Sequence, residues 1–353
     1  MPEADWSAPR RLAERLRFSG DHVHPEWTGE APDGVHEWRE LLSQHEVRIA
    51  PEIMPTISRA LGEAATRLGL SPEAIDGFVF ESPVVNASCV SDADSACIVR
   101  VSSGLAKLLS GEEMQFVFGH EIAHHLFGHS KVRSGDSESI DALRLRRAGE
   151  ISADRVGFVA CGSLDVAIRA MLKVTSGLPD DLLRFDIRPF LAQLESSAGR
   201  GGSLGESHPS MGVRCRAVMW FASEFDPASG SLPADRRRIV DERIARDLRR
   251  FTDATATRVV GMAVDELCLW MALRAILEDG VVSKAEQQWL RSEFGDDSAA
   301  SAIRMIRSQA REAVRDFVNS NIDKARGALR ELVPTSFAER ERECRDRVAA
   351  KPD

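Results

Sequence analysis

The chain has 353 residues, of which 43% are hydrophobic and 29% charged, with a formal net charge of −9. That is an ordinary globular balance, enough for about two domains and incompatible with wholesale disorder. A net acidic chain lacks the basic footprint of a nucleic-acid binder and the charge that draws proteins to anionic membranes.

The first residues, MPEADWSAPRRLAERLRF, contain no apolar core of the about 7–15 residues that a secretory signal needs. No later stretch approaches the roughly 20 apolar residues of a membrane-spanning helix. The richest, Leu267 to Leu277, is interrupted by Arg274 and closed by Glu278 and Asp279. A soluble, cytoplasmic protein without a membrane span is therefore expected. The cysteines, Cys89, Cys97, Cys161, Cys215, Cys268 and Cys344, include no C-x-x-C pair and are expected as thiols, although Cys89 and Cys97 could meet across a hairpin.

Residues 1–45 read as a polar N-terminal arm, a helix followed by a Pro- and Gly-containing irregular stretch. Its His22-x-His24 pair invites an inhibitory contact with a metal, but exposed loop histidines are the default. Ile53 to Leu68 has helical spacing of Ile57, Leu61 and Ala65, and Gly69 ends it. Phe78-Val79-Phe80, Val84-Val85 and Cys97 to Val101 read as strands of a small antiparallel sheet. A helix over Ser103 to Leu109 follows. Ser110 with Glu113 forms a capping box that opens a helix running to Phe127, with Gly128 as its stop. After a polar linker, a long helix spans Ile140 to Ala160, closed by Gly162. A glycine-rich loop over Ser196 to Ser207 leads toward Phe225 to Pro233, whose Pro, Gly and Ser suit a linker. The expected organisation is an arm over 1–45, a catalytic domain over 46–222, a linker over 223–234 and a helical domain over 235–353. The fold class is α+β, mostly helical, with a small sheet in the catalytic domain and an all-α domain after it.

The strongest chemical signal is His120-Glu121-Ile122-Ala123-His124. Residues four apart share one face of a helix, so both imidazoles can bind one zinc ion, with Glu121 beside them as general base. A third ligand must come from elsewhere. The long metzincin string fails, because the positions where it needs Gly and His are Phe127 and Ser130. A glutamate on a second helix is the remaining common solution. Glu150 and Asp154 are four apart on such a helix: Glu150 can ligate, and Asp154 can receive the free ring N–H of a ligating histidine. His125 and His129 are also four apart but rotated about 100° from the first pair, and read as surface or helix-end histidines.

This pattern, His-Glu-x-x-His followed by Glu-x-x-Ala-Asp, resembles the gluzincin metallopeptidases of the HtpX and CAAX-prenyl-protease type. Val85-Asn86-Ala87, Ile98 to Val101, Gly104-Leu105, Gly119 and Gly128-His129 follow that family's order, and Ser207-His208-Pro209-Ser210 with Arg214 resembles its SHP segment. The resemblance covers roughly Val47 to Phe221. It implies a zincin-like domain with one Zn2+ held by His120, His124 and Glu150, Glu121 as catalytic base, Asp154 behind a ligand, and His208 steadying the oxyanion. It also implies that the strand near Val99, with Asn86 and Ala87, binds peptide as an added strand. No other cofactor is expected. The chain contains no tyrosine, which raises the weight on His208 or an arginine as oxyanion donor. A soluble or loop-exposed protein substrate follows, rather than a prenylated membrane one.

Asp265-Glu266-Leu267 through Glu286 resembles the TerB-type helical domain, with an acid-Asp-Gly turn at Glu278 to Gly280 and a second capping box at Ser283 and Glu286. A protein partner on this helical domain is one expectation. Two rival functions remain beside the endopeptidase: a zinc-stabilised binding module, and an adaptor whose proteolysis is gated by a partner.

Overall fold

The computed structural model describes residues 6–21, 35–92, 96–129, 139–196, 206–278, 282–308 and 310–352. His22, His24, the Asp279-Gly280 turn and most of the glycine-rich loop lie outside them. In chain order the elements are α1 Ser7–Leu16, α2 Val35–His45, β1 Val47–Arg48, α3 Pro55–Arg67, β2 Ile75–Phe80, β3 Ala87–Asp92, β4 Ala96–Ser102, α4 Ser103–Leu108, α5 Gly111–Phe127, α6 Ile140–Cys161, α7 Leu164–Ser176, α8 Ile187–Ser196, α9 Met211–Glu224, α10 Ala234–Asp247, α11 Ala254–Ile276, α12 Lys284–Phe294, α13 Asp296–Ser308, α14 Arg311–Leu332 and α15 Phe337–Ala349. The class is the α+β, mostly helical one expected.

The sheet is mixed rather than antiparallel, in the order β1-β2-β4-β3. The β3–β4 hairpin lays β4 beside β2, so β2 and β4 run parallel, from Ile75 opposite Cys97 to Phe80 opposite Ser102. Val84-Val85 is not a strand. The Ser82 hydroxyl accepts the Val84 N–H, a local turn that competes with pairing, and Pro83 has no N–H to offer a ladder. β4 is covered on both faces, and its one charged residue, Arg100, pairs with Glu46. Cys97, Val99 and Val101 face the main core, while Ile98 packs with Phe78 and Leu42.

Helix α5 begins with the expected capping box, the Ser110 hydroxyl accepting from Glu113 N and the Glu113 carboxylate from Ser110 N. It ends at Gly128, whose φ of 69° is the left-handed conformation that favours glycine at a helix end. Between these caps nearly every side chain is buried, on all sides rather than on one face. A helix apolar all round belongs in the middle of a core. It meets α6 at unusually close range. A Cβ on Gly119 would stand 2.3 Å from the Ala160 Cβ, and one on Gly157 would stand 2.8 Å from the Phe116 carbonyl oxygen. Glycine at both positions lets the two helices touch, which brings the sides carrying His120 and Glu150 together.

Two compact units divide the chain: the described residues of 1–137 with 143–253, and those of 138–142 with 254–353. The break at 253 falls later than the linker expected over 223–234. Leu232, Val240 and Ile244 are buried in the first unit's core, so α10 packs there. The N-terminal stretch is likewise no detached arm: Trp6, Ala13, Leu16 and Phe18 belong to the same core. In the second unit, Val314, Val318, Ile322, Ala325 and Leu329 recur every three or four residues along α14 and are buried with Val260, Val264, Leu267 and Met271 of α11. Its α12 carries the second capping box, Ser283 with Glu286. Among the described residues no helix is long and apolar enough to cross a membrane.

Candidate metal centre

The four-residue step on α5 puts His120 and His124 on one side of the helix, with their Nε2 atoms 3.2 Å apart. Helix α6 supplies Glu150, whose carboxylate oxygens lie 3.6 Å from His120 Nε2 and 3.5 Å from His124 Nε2. One ligand atom from each of the three lies within 4.8 Å of the others, the single such cluster found among the described residues.

Behind these three side chains stand charged groups. Asp154, one turn along α6 from Glu150, is 3.0 Å from His120 Nδ1. Arg214 of α9 holds Asp154 through Nε at 2.8 Å and Nη2 at 2.6 Å, and brings Nη1 to 3.3 Å from Glu150 Oε2. Burial raises the pKa of Asp154, but Arg214 and His120 outweigh it and bring the carboxyl down to about 2. As an anion, Asp154 can only accept from His120 Nδ1, so a neutral His120 presents a lone pair on Nε2. Burial also opposes charge on His120, yet Asp154 and Glu150 outweigh it and raise that pKa. His124 is pushed well below its ordinary value, first by burial and then by the cationic side chains around it. Its Nδ1 lies 2.8 Å from His129 Nδ1, and His129 Nε2 is 3.3 Å from both carboxylate oxygens of Asp21.

The donor set fits a divalent transition metal. Two imidazoles and a carboxylate are a common zinc set that leaves a position for water. Glu150 Oε2 is buried and makes no hydrogen bond among the described residues; Arg214 Nη1 at 3.3 Å is its charge partner, and its lone pairs are open to a cation. Glu121, beside His120 on α5, is buried too. Burial pushes its carboxyl up to about 7, with Glu150 adding and His120 and Arg214 opposing. A cation close by would draw it down again by attraction.

Residues 54–140 match the family model of Peptidase family M48. Over those residues the chain resembles an M48-type peptidase domain. A relative, plastoglobule-localized metallopeptidase 48, chloroplastic, of Arabidopsis thaliana, is 26% identical over 155 residues. That alignment covers 38% of this chain and 44% of the relative. No solved structure matches.

A cleft of about 250 Å³ opens beside the cluster and is lined by His120, Glu121, Glu150, His208, Asn86 and Ala87, among others. His208 Nε2 lies 3.5 Å from Glu150 Oε1, and its side chain is 64% exposed at the mouth. Val99 is placed differently from expectation. Its strand β4 is paired on both sides, by β2 and β3, and has no backbone groups left for a peptide. The edge strands are β1 and β3, and β3, which begins at Ala87, is the edge on the side of the cleft-lining Asn86 and Ala87.

His125 is not a surface histidine, and His129 follows the Gly128 cap at the end of α5. His125 is buried with its ring centroid 4.2 Å from that of Trp6, and His129 backs His124. Asp21 and the grip of Arg214 on Asp154 escape a reading by motif, and Gly128-His129 marks His129 without its role. Arg214 is signalled only by its place after the SHP segment, and nothing near Asp21 marks it. Cys89 and Cys97 are free thiols with sulfurs 3.8 Å apart.

Proposed function

We propose that this chain is a zinc-dependent endopeptidase acting on soluble or loop-exposed protein segments. The carrying observation is the convergence of His120, His124 and Glu150 beside a cleft that also holds Glu121. The M48 match over 54–140 supports the same chemistry. His120, His124 and Glu150 would hold the ion, and zinc bound there supplies a Lewis acid that makes hydroxide available near neutral pH.

The chain's own residues account for the rest. A peptide laid along the β3 edge accepts and donates backbone hydrogen bonds as a further strand. Its side chains enter the cleft among Leu105, Phe116, Val117, Met171 and Met211. Glu121 takes a proton from the attacking water as the oxygen adds to the scissile carbonyl carbon. It then returns the proton to the amine nitrogen as the C–N bond breaks. His208 at the mouth donates to the developing oxyanion. Asp154 fixes the ring of His120, and Arg214 fixes Asp154.

A cytoplasmic location belongs to this reading, and cell fractionation tests it. The activity is tested with Glu121→Gln, which keeps the shape and removes the base. Incubation of each purified form with zinc and a denatured protein substrate should give fragments with the wild type and none with the variant, both binding one zinc. Equal cleavage by the two forms contradicts the proposal.

A further inference from the structure

The two imidazoles of the cluster are each held from behind, by different means. His120 Nδ1 meets a carboxylate directly, that of Asp154. His124 Nδ1 meets another imidazole, His129 Nδ1 at 2.8 Å, and the far nitrogen of His129 meets the carboxylate of Asp21. Two ring nitrogens at that separation share one proton, so one donates and the other accepts. Asp21 decides the direction. As a carboxylate it only accepts, so His129 Nε2 carries a proton, and a neutral His129 keeps a lone pair on Nδ1. His124 Nδ1 is then the donor, and the lone pair on its Nε2 faces His120 Nε2 and Glu150.

Asp21 is 108 residues before His129 in the chain, and its position is built. It is wholly buried. Phe18 N donates to Ser152 Oγ of α6 at 3.0 Å, and Ser19 N donates to Asp241 of α10 at 3.0 Å. Arg155 of α6 donates to the Leu16 carbonyl oxygen at 3.2 Å and pairs with Asp241 at 2.6 Å. Arg17 Nη1 donates to the Asp21 carbonyl oxygen at 3.1 Å, and Asp21 N to the Phe18 carbonyl oxygen at 2.9 Å. Buried polar groups on two helices thus clamp residues 16–21 under the metal cluster. The Asp21 carboxylate also lies 3.7 Å from Arg17 Nη1.

We infer that Asp21 and His129 are positioning residues of the metal centre: a relay Asp21–His129–His124 sets the tautomer and ring orientation of His124, so that the N-terminal segment completes the metal site. The inference rests on His120, His124 and Glu150 being the ligands. Groups behind a ligating histidine typically change metal affinity by about 10–100-fold when removed. A relay also makes its two members dependent on each other, since cutting it at either point loses the same alignment.

The test uses the full chain and zinc alone, in competition with a chromogenic chelator. Asp21→Asn and His129→Gln should each weaken zinc binding by about 10–100-fold. The double variant should be no weaker than the weaker single one. Variants that bind as tightly as the wild type, or losses that multiply in the double variant, overturn the inference. A wild type that binds no zinc overturns the metal reading itself, which separates the two failures. Should either variant fail to fold, nitrogen-15 histidine spectra of the zinc-loaded wild type give the answer. His129 should carry its proton on Nε2 alone, and a His129 protonated on Nδ1 is the contrary result.

Discussion

Arg214 grips Asp154 with two nitrogens, Nε on Oδ2 at 2.8 Å and Nη2 on Oδ1 at 2.6 Å, and Oδ1 is also the oxygen nearest His120 Nδ1. The planar guanidinium matches the carboxylate fork and stays charged when buried. Removing one partner leaves the other as an uncompensated buried charge, which typically costs about 3–5 kcal/mol. Arg214→Met should lower the unfolding free energy by that amount in urea titration, and Arg214→Lys should restore only part of it. An Arg214→Met protein as stable as the wild type would contradict this.

The close crossing of α5 and α6 depends on Gly119 and Gly157. A methyl at Gly119 would collide with Ala160 at 2.3 Å. Overpacking of this kind costs about 1–3 kcal/mol. Gly119→Ala should lower the chemical denaturation midpoint, and adding Ala160→Gly should recover some of the loss by returning the space. Simple additivity of the two changes would show that the contact is not the cause.

Arg155 and Asp241 form a buried pair at 2.6 Å, and Asp241 also accepts the Ser19 N–H. Asp241→Ala strands a buried guanidinium and releases residues 16–21. A loss of about 3–5 kcal/mol is expected, with faster amide exchange at Phe18 and Ser19 as the local sign. Unchanged protection there would show that the pair does not hold the segment.

A ligand that binds only the folded chain stabilises it by mass action. Zinc at a free concentration 100 times its dissociation constant should add about 2.7 kcal/mol to the unfolding free energy. The gain should vanish in Glu150→Ala at the same zinc concentration. An equal gain in both forms would mean that the ion sits elsewhere.

How much of this was readable beforehand follows from what is local. His120, Glu121 and His124 lie within one helical turn, and the caps Ser110, Glu113 and Gly128 have local chemistry, so the α5 motif is legible in order. Glu150 and Asp154 repeat the same four-residue logic on α6. The mixed sheet was not legible, because alternation within a strand says nothing of which neighbour it takes, and β4 lies between β2 and β3. The all-round burial of α5 hides in the same way: Gln115 and His125 read as polar but are buried, Gln115 beside Glu63 and Arg67, and His125 against Trp6. The N-terminal segment read as an arm because its polar residues suit solvent. The partners of its backbone N–H groups at Phe18 and Ser19, Ser152 and Asp241, stand far along the chain.

Anomalous diffraction at the zinc absorption edge, from crystals of the zinc-loaded wild type, tests the central claim most directly. One peak is predicted, at about 2.0–2.2 Å from His120 Nε2, His124 Nε2 and a Glu150 carboxylate oxygen. A peak elsewhere, or a Glu150 side chain turned away from both rings, would contradict the account.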